Sequence, residues 1–126
     1  MKIAWIAAGG ALGASLRWLV STAVQARAPT TFPFGTLAVN VLGCAAIGTL
    51  AAWLAAPDDH PREELRLFLV VGVLGGLTTM SAFAWETVSL ADTGLRGRAL
   101  LYLLASNALC LLAAWGAFAL SRSARG

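Results

Sequence analysis

Apolar residues fill this chain in four long blocks, and polar residues collect in three short joints between them. The blocks run from about Ile3 to Ala26, Phe34 to Ala56, Leu65 to Ala91 and Arg98 to Leu120. A helix rising about 1.5 Å per residue crosses the roughly 30 Å of bilayer hydrocarbon with about 20 residues. Every block is long enough. The joints are Arg27 to Pro33, which holds Pro29 and Pro33, then Pro57 to Glu64, then Asp92 to Gly97. None can hold a soluble domain. The pattern predicts an all-α membrane protein, a single four-helix transmembrane domain over residues 1–126 that works at membrane depth.

Composition points the same way. Hydrophobic residues are 59% of the chain and charged residues 12%, about half the share in a typical soluble domain. Mean hydropathy is +0.77. An ordinary cytosolic enzyme, a disordered chain and a nucleic-acid binder are excluded. The net charge of +3 rests on scattered joint arginines, which make no phosphate-binding stripe. Lys2 and the apolar stretch after it resemble a secretory signal. Glycines interrupt that stretch and three more spans follow, so a retained helix is expected.

Charge also bears on orientation. With four spans, both termini and the middle joint share one side. That side holds Lys2, Arg62, Arg66, Arg122 and Arg125; the other holds Arg27, Arg96 and Arg98, with Arg17 near it. The excess of Lys and Arg normally sets topology. Here the two sides are nearly balanced. Insertion both ways is one expectation, and it permits an antiparallel dimer about an axis in the membrane plane. A small bias toward cytoplasmic termini is the other.

Several residues inside the spans need a reason to be there. Gly9 and Gly13, with the offset pair Gly10 and Ala14, have the small-xxx-small spacing of close helix packing. The third span reads GVLGGLTTMSAFAWE from Gly72 to Glu86. Its glycines and threonines are poor helix formers, each glycine costing about 1 kcal/mol against alanine. Either the helix breaks and points carbonyls at a cation, or it stays whole and packs its small face on a neighbour. Asn40 either cross-links helices or donates its amide to an anion. Tyr102 and Ser106 share a face of the fourth span, and Cys110 continues it. That face offers hydroxyl donors to another helix or to an anion. Arg17 and Glu86 are the charges well inside the spans, each toward one end, where they can snorkel to a vestibule. Glu86 is expected to pair with a cation, to donate when protonated, or to accept from backbone. No nucleophile stands beside a base. Cys44 and Cys110 lie in apolar runs, where a thiol behaves as a small hydrophobe, and His60 is far from both, so no transition-metal site is expected.

Three stretches together resemble the Fluc (CrcB) fluoride channel family. Gly9 to Trp18, GGALGASLRW, is similar to its GGxxGAxxR-aromatic motif. Phe34 to Gly43, FGTLAVNVLG, is similar to its GTLxVNxxG motif, and Gly75 to Phe83, GGLTTMSAF, to its GGxTTFSTF motif. Order, spacing and length agree over nearly the whole chain. The resemblance implies an antiparallel dual-topology homodimer in the cell membrane, with two fluoride pores and a break in the third helix. It implies a structural, untransported sodium ion on the dimer axis, held by the backbone carbonyls of Gly75 and Thr78 from both subunits. It assigns the fluoride pathway to Asn40, Met80, Ser81, Phe83, Tyr102 and Ser106, and the vestibule to Arg17 and Glu86.

Two positions depart from the family pattern. Met80 stands where the first phenylalanine is expected, offering a polarizable thioether without the ring-edge quadrupole. Ala82 stands where a threonine is usual, removing one hydroxyl. The implied function is passive export of cytoplasmic fluoride, with membrane lipid and a second copy as partners. A non-conducting partner in a hetero-pair is one alternative. A small multidrug-type exporter is another, but that mechanism needs a first-span carboxylate, and this chain has none there.

Overall fold

The computed structural model describes residues 1–54 and 63–125. Every regular element among them is helical. The end of the second block, His60, Arg62 and most of the middle joint lie outside the described residues. Helix α1 spans Lys2–Arg27 and α2 spans Phe34–Leu54. The third span starts as α3, Glu63–Arg66, and widens into a π-helical segment over Leu67–Leu74. It continues as α4, Gly75–Leu77, and after two extended residues as α5, Met80–Asp92. Helix α6 spans Arg96–Ser123. Four stretches, Lys2–Arg27, Phe34–Leu54, Glu63–Asp92 and Arg96–Ser123, are long and apolar enough to cross a membrane. The start of the second span at Phe34 is as expected, and the other described ends differ by one to three residues, mostly where charged residues extend the helices past the apolar blocks.

Local chemistry sets the joints. Gln25 organises the first one. Its Nε2 donates to the carbonyls of Ala28, Thr30 and Phe32 at 3.1, 3.0 and 3.3 Å, and its Oε1 accepts from Gly35 N–H at 3.1 Å. The loop thus folds around one side chain and delivers the chain into α2. The α5–α6 joint is a Schellman turn: Leu95 N–H donates to Leu90 and Gly94 N–H to Ala91. Gly94 sits there at φ +84°, a conformation that a side chain disfavours.

Packing falls into two pairs. Helix α2 lies along α6, and α1 lies along the π-helical segment and α4. Past the interruption, α5 leaves α1 and packs on α6. Glycines bring the first pair to backbone contact. A Cβ on Gly9 would lie 2.3 Å from the Phe68 carbonyl oxygen, and one on Gly13 2.1 Å from that of Val73. Little is buried within one chain: Phe83, Leu90, Ala99 and Tyr102 form a small cluster near the α5–α6 end. Many large apolar side chains, Trp18, Trp85, Leu111 and Trp115 among them, face outward.

The Gly13 contact yields a test. Gly13→Ala must push α1 off the third span, and overpacking of this kind costs about 1–3 kcal/mol. A Cβ on Gly116 meets nothing within 4 Å. Thermal unfolding in detergent should therefore fall by several degrees for Gly13→Ala and hold or rise for Gly116→Ala.

Candidate functional site

Thr78 and Thr79 interrupt the third span. Their backbones are extended, at φ −80°, ψ 153° and φ −148°, ψ 110°. Inside a bilayer the peptide groups released by such a step find no water, so protein must pair them. Asn40 does this across the helix boundary. Its Oδ1 accepts from Thr79 N–H at 2.8 Å, and its Nδ2 donates to the Thr79 carbonyl at 3.2 Å. Thr79 then caps α5, its Oγ1 accepting from Ala82 N–H at 3.2 Å. Each bond diverts a donor. Thr79 N–H no longer serves the carbonyl of Gly75 four residues back, and Ala82 N–H turns from that of Thr78.

Below this step opens a cavity of about 510 Å³. Asn40, Met80, Phe83 and Ser106 line it, together with Gly75 and Thr78. Four of the six residues assigned to the pathway therefore share one wall. Phe83 is buried, its ring centroid 5.2 Å from that of Tyr102. Ser106 is 5% exposed, and its Oγ has no hydrogen-bond partner among the described residues. A buried hydroxyl left unpaired is costly in a protein interior, and here it lies on a cavity wall.

Tyr102 is oriented differently from a free donor. Its hydroxyl donates to Glu86 Oε2 at 2.7 Å, while Thr36 Oγ1 donates to Glu86 Oε1 at 2.6 Å. The sequence expectation for Glu86 was a cation, a donated proton or a backbone donor. Two side-chain hydroxyls take that place, because α5 packs on α6 and brings the carboxylate between Tyr102 and Thr36. Glu86 also lines a second cavity, of about 460 Å³, with Ser21, Thr22, Gln25, Gly35 and Thr36. Arg17 and Ser81 line neither of these two cavities among the described residues. Ser81 is exposed, with its Oγ 3.4 Å from Thr79 Oγ1.

Sequence reasoning missed Thr36, Thr79 and the association of the two cysteines. Thr36 and Thr79 lie in the quoted motifs, but nothing local marks a threonine as the partner of a carboxylate 50 residues away. Cys44 and Cys110 were read apart as small hydrophobes. Both line the larger of these two cavities, Cys44 from α2 and Cys110 from α6.

The family model for "CrcB-like protein, Camphor Resistance (CrcB)" matches residues 4–118. The chain belongs to the CrcB family. A relative named fluoride-specific ion channel FluC from Agrobacterium fabrum is 43% identical over 123 residues, covering 98% of each chain. FluC proteins from Magnetococcus marinus and Geobacter sulfurreducens are each 44% identical, over 91% and 93% of this chain and 93% and 94% of their own lengths. The match reaches into all four candidate spans.

The Asn40 clamp can be tested without a transport assay. Asn40→Ala strands the N–H of Thr79, and an unsatisfied buried group costs about 1–3 kcal/mol. Hydrogen exchange at the Thr79 amide should quicken by about tenfold or more, while exchange in the middle of α1 stays unchanged. Equal protection in the variant would mean that another group holds the step.

Proposed function

We propose that this chain is a passive, fluoride-selective channel of the cell membrane, a multi-pass protein that exports cytoplasmic fluoride and so lowers its toxicity. It is a channel and not an enzyme. The observation that carries the reading is the cavity that joins the Asn40 amide, the buried Phe83 ring and the unpartnered Ser106 hydroxyl. The names of its CrcB relatives support the same ion.

The chemistry suits a small, strongly hydrated anion. Fluoride leaves water only where donors replace its shell. Asn40 Nδ2 keeps a second N–H beyond the one given to Thr79. Ser106 offers a free O–H. The edge of Phe83 presents the positive rim of the ring quadrupole. Met80, Ser81 and Tyr102 complete the path, with Arg17 and Glu86 at its vestibules. Hydrogen fluoride enters a cell as the neutral acid and ionises inside; the anion then leaves down its electrochemical gradient.

The working unit in this proposal is an antiparallel homodimer with two pores. Nearly even arginine and lysine counts on the two faces favour dual insertion. The interrupted third spans of the two copies meet on the dimer axis. There Gly75 and Thr78 would hold a structural sodium ion through their carbonyls. The fit is good, because these are the carbonyls whose helical donors go to Asn40 and Thr79. Oxygen donors suit a hard cation. A fixed positive charge beside the pores offsets the desolvation of an anion. The rival exporter lacks support, since α1 carries no carboxylate.

Liposomes carrying the purified protein should release fluoride rapidly and retain chloride. Equal leak of both ions, or none, would sink the proposal. A variant separates the ring from the scaffold: Phe83→Ile should slow efflux by about tenfold or more, as loss of one aligned dipole does elsewhere, with the dimer intact on size-exclusion chromatography. Unchanged flux would mean that the ring edge is not used.

A further inference from the structure

The chain has two cysteines and two methionines, and three of these four sulfur-bearing residues line one cavity. Cys44 comes from the middle of α2, Cys110 from the middle of α6, and Met80 from the first residue of α5. Both cysteines are free and half-buried, and they reach this cavity from two helices packed on each other. The wall they share also carries Asn40, Phe83 and the buried, unpartnered hydroxyl of Ser106, one helical turn from Cys110. Among the described residues no group of three or more His, Cys, Asp or Glu comes together. Zinc takes four nitrogen, sulfur or oxygen ligands, and no such set comes together among the described residues.

A pair of thiols suits a different class of ion. Thiolate and thioether sulfur select soft cations. A filled-shell cation such as copper(I), silver(I) or mercury(II) is satisfied by two thiolates in line, with a thioether as an optional third donor. We propose that Cys44 and Cys110 form a two-thiolate site for such a soft cation, with the Met80 thioether beside it, and that its occupation closes the anion path. Binding is a simple exchange. The two thiols release their protons to solvent, and the two sulfur lone pairs form the bonds to the metal. No electrons change hands. A bound ion then sits in the cavity between Asn40 and Ser106, where it fills the space an anion needs and ties α2 to α6.

The metal site stands on the cavity wall that Cys44, Cys110 and Met80 share. The closure rests on the proposed fluoride pathway, and the experiment separates the two. Full-length protein in detergent, reduced and freed of excess reductant, is titrated with mercuric nitrate, and free thiol is counted. The site requires that each mercuric ion remove both thiols of a chain. In Cys44→Ser and in Cys110→Ser each ion removes only one. If both thiols of the natural chain react with separate ions, the site is refuted. If the single-cysteine variants still lose two thiols per ion, the bridge runs between chains and the assignment is overturned.

The second arm uses liposomes. Mercuric ion should slow fluoride efflux by about tenfold, a block of the kind expected when a pore constriction is filled, and dithiothreitol should restore it. Each serine variant is compared with its own untreated rate and should lose less than half of it. Full efflux with both thiols consumed would overturn the closure and leave the metal site standing. Absence of fluoride efflux before any metal is added would count against the channel reading, with the thiol count still deciding the site.

Discussion

Without Asn40, the N–H of Thr79 would stand unpaired at the depth of bilayer hydrocarbon, and its carbonyl, which opens the bonding of α5, would lose its second donor. Water is absent there, and each lost bond weighs more than it would on a soluble surface. One amide side chain answers both groups, through bonds of 2.8 and 3.2 Å. The geometry suits asparagine because its side chain carries an acceptor and a donor side by side, as a peptide does. Leucine in that position would leave the N–H stranded. Asparagine therefore acts as a substitute for the missing turn of helix.

Much of the architecture follows from that step. The third span leans on α1 as far as Leu77, where glycine backbones touch, and on α6 from Met80 onward. A continuous helix would stay on one neighbour. The change of partner opens the cavity below the step and carries Phe83 against Tyr102. It also swings Glu86 to Thr36 and Tyr102, whose hydroxyls donate to its two oxygens. The same diversion of N–H donors leaves the carbonyls of Gly75 and Thr78 with no helical partner. Packing, polar satisfaction and open carbonyls thus share one origin.

The donors that suit an anion are in two different conditions. Ser106 has a free hydroxyl inside the cavity, while that of Tyr102 is committed to a carboxylate. An anion reaching Tyr102 must compete with Glu86 for that proton. Met80 and Ala82, the departures from the family pattern, fall at the start of α5. Met80 is 73% exposed on the single chain, whereas Phe83 one turn on is buried at 8%. The chain retains its aromatic ring where packing orders it and carries a flexible thioether where packing does not.

The four spans were legible in the sequence because hydrophobic length is a local property: about 20 apolar residues suffice, whatever lies beside them. The motifs were legible for a related reason, since glycine, threonine and asparagine in that order constrain backbone as well as side chain. The anomaly of Asn40 and of the third-span glycines was visible, but each had two readings, because a polar residue in a span shows its need for a partner and not the partner itself. Tertiary structure made that choice. Asn40 found Thr79 at a separation of 39 residues and Glu86 found Thr36 at 50, while Cys44 and Cys110 came to one cavity wall from two helices. Hydrogen bonds and packing contacts act over a few ångströms, so residues far apart in sequence meet only when the helices pack. Sequence fixes which groups must be satisfied in the membrane, and packing decides which groups satisfy them.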